Sequence, residues 1–299
     1  MRLISAIFAI VVLAVSMLGS AYASPISFRD LLARPRELPD KTIVYGTHAH
    51  QFGELWLPKG GGPHRTVILI HGGCWLAELP GTELMAYLAQ DLRARGYAVW
   101  NVDYRRIGDE GGGYPGTFLD AGNAVDLLQK LAPQFHLDLS KVAVLGHSAG
   151  GHLASWVAGR VGLPKSSRLR VELPLKINGV VSLAGINDLE RYRDMGPSAC
   201  GGAPTIDALV GAKDRVGQDL YADTSPMRLL PIHAKQVVVS AELDKIVPPQ
   251  FGVHFAAAAS RRGDEVTERT YKGAGHFELI DPTSAAWSEI RSDIDMLTQ

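Results

Sequence analysis

Gly146-His147-Ser148-Ala149-Gly150 places a serine between two glycines, the spacing that lets a hydroxyl act as a nucleophile. The serine must sit on a tight, strained strand-to-helix turn so that its oxygen projects beyond the sheet, and flanking glycines let neighbouring backbone approach without a Cβ clash. A helix starting at Ala149 would aim its positive end and free N–H groups at the same spot. A second pattern, His71-Gly72-Gly73-Cys74-Trp75, follows directly on an apolar run ending at Ile70. Consecutive glycines there allow backbone N–H groups to turn toward a substrate carbonyl oxygen. His71 reads as a loop-holding imidazole bonded to backbone, and Trp75 as the packing residue that fixes the loop. Together the two patterns point to acyl transfer through an activated serine.

These residues need a scaffold of buried strands. Val67–Ile70, Tyr97–Val102, Val142–Leu145, Val180–Leu183 and Val237–Val239 are short apolar runs rich in β-branched residues, as strands covered on both faces require. Between them, helical spacing recurs over 82–95, 117–131 and 249–262, and a helix follows Ser148 over 149–161. Strand and helix in alternation predict right-handed crossovers and a mostly parallel sheet of about eight strands. Thr42–Tyr45 and Gly53–Leu57 read as an opening pair of strands antiparallel to the rest, Val266–Tyr271 as the last strand and Ser284–Leu297 as a closing helix. Residues 187–231, with Gly196-Pro197, Gly201-Gly202 and Pro204, break the alternation and read as a small cap-like insertion over the strand ends.

At this point the sequence resembles the α/β-hydrolase family, and within it the HGGxW carboxylesterase branch that holds kynurenine formamidases and feruloyl-esterase-like enzymes of the BD-FAE type. The resemblance covers about residues 41–298. It implies a chain order of nucleophile, acid and histidine. Asp244, in Asp244-Lys245-Ile246-Val247-Pro248 after the 237–240 strand, matches the acid; Asp188 is the rival, with a competing role as helix cap, and Glu242 is a further alternative. His276, in a glycine-bearing loop after the last strand, matches the histidine. The implied reaction has His276 deprotonating Ser148, Asp244 holding His276 in the right tautomer, and the N–H groups of Ala149, Gly73 and Cys74 receiving the developing negative charge, with Gly72 supporting the loop.

The remaining histidines make weaker claims. His48 and His50 lack a third ligand and read as surface residues, His147 and His152 as packing beside the nucleophile, and His136, His233 and His254 as partnerless groups in or beside helices. No P-loop, Gly-x-Gly-x-x-Gly or His-Glu-x-x-His pattern is present, so no nucleotide, cofactor or metal is implied.

Thirty Lys and Arg against 31 Asp and Glu give a net charge of −1, so no global field favours nucleic acid or an anionic membrane. A positive start at Met1-Arg2, an apolar run from Leu3 to Leu18 and Ala21-Tyr22-Ala23 predict a signal peptide over 1–23, an exported catalytic domain over 24–299, and no stable membrane insertion after cleavage. Export makes a Cys74–Cys200 disulfide permissible, although nothing in the sequence brings the two together. The substrate expectation is a small short-chain or aromatic ester, with Tyr192, Met195, Ile206, Leu209, Val210 and Tyr221 of the insertion lining an apolar pocket. An arylformamidase, a serine exopeptidase and a non-catalytic binding protein on the same fold are the alternatives.

Overall fold

Eight strands form one sheet in the order β1-β2-β4-β3-β5-β6-β7-β8. They are β1 (Lys41–Val44), β2 (Phe52–Trp56), β3 (His64–Ile70), β4 (Ala98–Val102), β5 (Leu137–His147), β6 (Gly179–Leu183), β7 (Lys235–Ala241) and β8 (Val266–Tyr271). The structure, a computed structural model, describes residues 24–299; the predicted signal peptide lies outside the described residues. The apolar runs that read as strands are the buried centre of the sheet: Val67 to Ile70, Val99, Trp100, Val144 and Leu145 are fully buried. Residues with both faces covered cannot alternate with polar ones, which explains their continuous apolar character.

From β4 through β3 and β5 to β8 every pairing is parallel. The opening strands differ in part from the expectation. β2 is antiparallel to β4, but β1 is antiparallel to β2 and therefore runs with the other strands. The chain reverses between β1 and β2 and again between β2 and β3, so among the described residues only β2 opposes the other strands.

The helices include α1 (Phe28–Leu32), α2 (Ala86–Ala94), α3 (Gly116–Phe135), α4 (Ala149–Gly159), α5 (Leu189–Met195), α6 (Ala203–Leu209), α7 (Gln250–Arg261) and α8 (Ala285–Leu297). From β3 the chain crosses one way to β4, then returns past β3 to β5 and continues in that direction. Right-handed crossovers consequently put α2 on one face and α3, α4 and α7 on the other. The side chains agree with this layering. Trp287 of α8 donates to Asp91 of α2 at 2.8 Å, while Phe118 of α3 meets Trp156 of α4 edge to face at 5.2 Å.

This topology fixes where a site can be. The direction of crossing reverses between β3 and β5, and the crevice at such a switch point lies beyond the carboxyl ends of the strands. Register aligns those ends: Ile70 pairs with Val102 on one side and Gly146 on the other, His147 with Leu183, Leu183 with Val239, and Ala241 with Tyr271. The loops that carry His71–Trp75, Ser148, Asp244 and His276 all leave this same edge.

Residues 187–231 rest on the same edge, between β6 and β7. Tyr192 of α5 donates its hydroxyl proton to the Ile246 carbonyl at 2.8 Å, and a disulfide joins Cys200 to Cys74. Four of the six apolar residues expected to line a pocket here, Tyr192, Ile206, Leu209 and Val210, are instead buried in packing within the insertion and against the domain, as where Tyr192 meets Phe251 edge to face at 5.3 Å; Tyr221 is half-buried and Met195 is 64% exposed. Short helices such as α5 and α6 are unstable alone, so their apolar stripes are consumed in holding them to each other and to the domain.

Candidate active site

Ser148 follows β5 and caps α4, with φ 56° and ψ −120°, a backbone conformation that side chains rarely adopt. Such strain costs about 1–3 kcal/mol and persists only where the surroundings enforce it. They do so here. The Ser148 N–H donates to the Leu183 carbonyl of β6 at 2.8 Å, and the His152 N–H donates to the Ser148 carbonyl at 3.2 Å. A side chain at Gly150 would collide with the carbonyls of Ile70 and His71, so glycine is what lets α4 start directly against the end of β3. Ser148 is 2% exposed. Ala149 opens α4, and the N–H of a first helical residue has no partner inside its helix.

The His71–Trp75 loop passes just beside this turn. A Cβ at Gly72 would lie 2.9 Å from the His147 carbonyl and 3.1 Å from the Ser148 Cβ, so the close approach demands glycine. Gly73, Cys74 and Trp75 then take three successive left-handed conformations, with φ of 98°, 51° and 56°. The glycine explains the first; nothing in the sequence announces the other two. Hydrogen bonds hold the flanks, from Leu76 N–H to the Gly73 carbonyl at 2.8 Å and from Ile107 N–H to the Trp75 carbonyl at 2.7 Å. Trp75 is fully buried and donates its indole N–H to His152 Nδ1 at 3.2 Å.

His71 does support the loop, through Nδ1 on the Gly72 carbonyl at 2.7 Å, but its other nitrogen meets a carboxylate. His71 Nε2 lies 3.0 Å from Asp103 Oδ1, and the ring stacks on Tyr104 at 4.4 Å. Asp103, the residue after β4, was not among the sequence candidates. It is buried, and burial alone would raise its carboxyl. Hydrogen bonding and charge from His71, a hydrogen bond from His50 and the Arg106 charge outweigh that and hold it at about 2. His50 is therefore more than a surface histidine: its Nδ1 lies 2.8 Å from Asp103 Oδ2. Its position next to β2, which pairs with β4, brings it to Asp103.

His276 Nδ1 lies 2.6 Å from Asp244 Oδ2, with both residues buried. The other Asp244 oxygen accepts the N–H groups of Ile246 at 2.8 Å and Val247 at 2.9 Å, which fixes the carboxylate. His147 ties this pair to the serine turn. Its Nε2–H donates to the His276 carbonyl at 3.0 Å, and the two rings lie 4.3 Å apart. Complete burial, with the nearby His276 adding to it, pushes the His147 imidazole well below its ordinary value, so it stays neutral and serves as a fixed donor.

The rival acids have other work. Asp188 caps α5, accepting the Arg191 N–H at 3.1 Å, and also lies 3.5 Å from His254, which is thus not partnerless. Glu242 accepts the Gly273 N–H at 2.9 Å and anchors the loop that carries His276. His152 sits between Trp75 and the Thr224 carbonyl, which its Nε2–H reaches at 2.8 Å. Among the described residues no group of three or more His, Cys, Asp or Glu side chains is placed to hold a metal ion, and no helix is long and apolar enough to cross a membrane. Two surface hollows of about 930 and 810 Å³ are lined by neither Ser148, Asp244 nor His276.

The BD-FAE family model matches residues 54–258, which span β2 through most of α7. Esterase LipC of Mycobacterium tuberculosis is 26% identical over 263 residues, covering 84% of this chain and 62% of its own length. A probable carboxylesterase 5 of Arabidopsis thaliana is 27% identical over 48% of this chain and 47% of its own. The chain thus spans less than two thirds of the length of these curated relatives. Esterase B of Lactobacillus rhamnosis superposes with a TM-score of 0.74 at 20% identity, over 90% of each chain, and has also been solved inhibited by a C4–C4 tributyrin phosphonate. These likenesses show the α/β-hydrolase fold expected from the sequence.

Proposed function

The chain belongs to the BD-FAE family, and from that premise we propose that it is a serine carboxylesterase acting on short-chain or aromatic esters. One observation carries the reading. A carboxylate-bound imidazole, Asp244–His276, is fastened through His147 to the strained turn that presents Ser148, beside a loop of left-handed backbone. The esterase names of the relatives agree with it.

The reaction follows from these positions. Ser148 Oγ attacks the ester carbonyl carbon as His276 Nε2 takes its proton. Asp244 Oδ2 accepts a hydrogen bond from the Nδ1–H and stabilises the imidazolium. The N–H groups of Ala149, Gly73 and Cys74 bind the oxyanion, each donor in such sites being worth about 3 kcal/mol. His276 then protonates the departing alcohol, and water, deprotonated by the same ring, releases the acid from Ser148. General base catalysis contributes roughly 10²- to 10⁴-fold.

A short or aromatic acyl group is favoured because Tyr192, Ile206, Leu209 and Val210 of 187–231 are buried in packing, while Met195 and Val216 stand exposed and do not form a long apolar lid. The C4 inhibitor held by esterase B of Lactobacillus rhamnosis supports the same size class. Export belongs to the proposal, supported by the leader pattern of residues 1–23 and by a disulfide, which persists in oxidising compartments.

The test is a p-nitrophenyl ester series from C2 to C16 beside N-formylkynurenine and a dipeptide amide. A kcat/KM maximum at C2 to C6, above the amide substrates, is the expected result. A maximum at C12 or beyond removes the short-chain assignment, and faster turnover of N-formylkynurenine or the dipeptide makes the protein a formamidase or exopeptidase.

A further inference from the structure

We propose that Cys200 is a positioning residue for the oxyanion loop: through its disulfide to Cys74 it holds the backbone N–H groups of Gly73 and Cys74 toward Ser148. The inference rests on the esterase reading of the same site. Cys74 stands between Gly73 and Trp75 in the left-handed stretch, and a left-handed backbone is unfavourable for any residue with a Cβ. Its neighbours are pinned by hydrogen bonds to Leu76, Ile107 and His152. Cys74 itself is fastened by its side chain, to a residue 126 positions away.

The other end of the bond is firmly mounted. Cys200 is buried in the turn between α5 and α6. The α5 helix is fixed by its Asp188 cap and by the Tyr192 hydroxyl on the Ile246 carbonyl, two residues beyond Asp244. On α6, the Ala208 carbonyl lies so close to Gly113 that a Cβ there would come within 2.9 Å. The disulfide therefore links the loop that would bind the oxyanion to the segment braced against the loop of the acid. Both halves of the site are referred to one rigid frame.

Reduction reverses this link. A dithiol such as dithiothreitol attacks one sulfur, the S–S bond breaks, Cys74 and Cys200 take up two electrons and two protons as thiols, and the reductant closes to its own disulfide. Cys74 is then free to leave the left-handed region, and its N–H turns away from Ser148.

The experiment compares oxidised protein, dithiothreitol-reduced protein and Cys200→Ser on p-nitrophenyl acetate, with circular dichroism recorded on each sample. Loss of one well-placed donor costs about 10²- to 10³-fold in kcat, and a loosened loop is expected to cost about 10-fold or more, with KM changed less than about 2-fold. Reoxidation of the reduced protein restores the rate. Unchanged kcat in folded reduced protein overturns the proposal, as does a rise in KM alone, which would assign the bond to substrate binding. A loss of rate that only follows loss of the dichroism signal also overturns it, leaving a bond that merely stabilises. Should Cys200→Ser fail to fold, the reduced and reoxidised samples decide. Inactive oxidised protein refutes the esterase reading itself, whereas active oxidised protein with equally active reduced protein refutes only the role of Cys200.

Discussion

Asp244 Oδ2 lies 2.6 Å from His276 Nδ1 while Asp244 Oδ1 accepts the N–H groups of Ile246 and Val247. Each oxygen has a separate task, one to hold the carboxylate and one to orient the imidazole. Asp244→Asn keeps an oxygen for the backbone donors but can present an N–H₂ to Nδ1, which selects the wrong tautomer. The expected outcome is a fall in kcat of about 10³- to 10⁴-fold with little change in unfolding free energy. Steady-state kinetics beside urea denaturation checks both halves, and a kcat within 10-fold of wild type would remove Asp244 from the mechanism.

Gly72 tests the contact between the two motifs. With an added Cβ only 2.9 Å from the His147 carbonyl and 3.1 Å from the Ser148 Cβ, Gly72→Ala must push the loop away from the serine turn. Turnover is expected to fall by about 10²-fold, the effect of losing one oxyanion donor. Burst kinetics with p-nitrophenyl acetate would locate the loss in acylation; full activity would show that the loop does not need this approach.

The buried histidines make stability depend on pH. Burial, opposed by the hydrogen bond to the Thr224 carbonyl, lowers His152 from 6.5 to about 4. Between these values the unfolded chain binds a proton that the folded chain does not, so stability rises with pH. The contribution is complete above about pH 6.5 and is lost as pH falls toward 4, a cost of about 3 kcal/mol. His147, lowered in the same sense, adds to it. Urea denaturation at pH 7 and pH 4 should show a loss in wild type that His152→Gln reduces by about 3 kcal/mol. Equal losses in the two proteins would contradict a neutral buried His152.

Local patterns were legible and spatial coincidences were not. Ser148 and Gly72-Gly73 announce themselves because a strained turn and a close backbone approach each restrict residue type within a few positions. Asp244 is preferred through the chain order that the family resemblance implies, with Asp188 read as a helix cap; the structure shows Asp188 capping α5 and gives Glu242 the separate task of holding Gly273. The link of Cys74 to Cys200 depends on how residues 187–231 fold back across the strand ends, which no spacing encodes. Asp103 and His50 meet because β2 lies next to β4, a matter of strand order. Ile206, Leu209 and Val210 were misread because an apolar residue that lines a pocket and one that fills a core look the same in sequence.

The most direct measurement is fluorophosphonate labelling of the purified protein with peptide mapping, beside Ser148→Ala. An activated serine in a formed oxyanion site predicts one labelled peptide, containing Ser148, and none in the variant, with both proteins folded alike. A folded wild-type protein that takes no label, or a Ser148→Ala protein that takes as much, would contradict the assignment of Ser148 as the nucleophile.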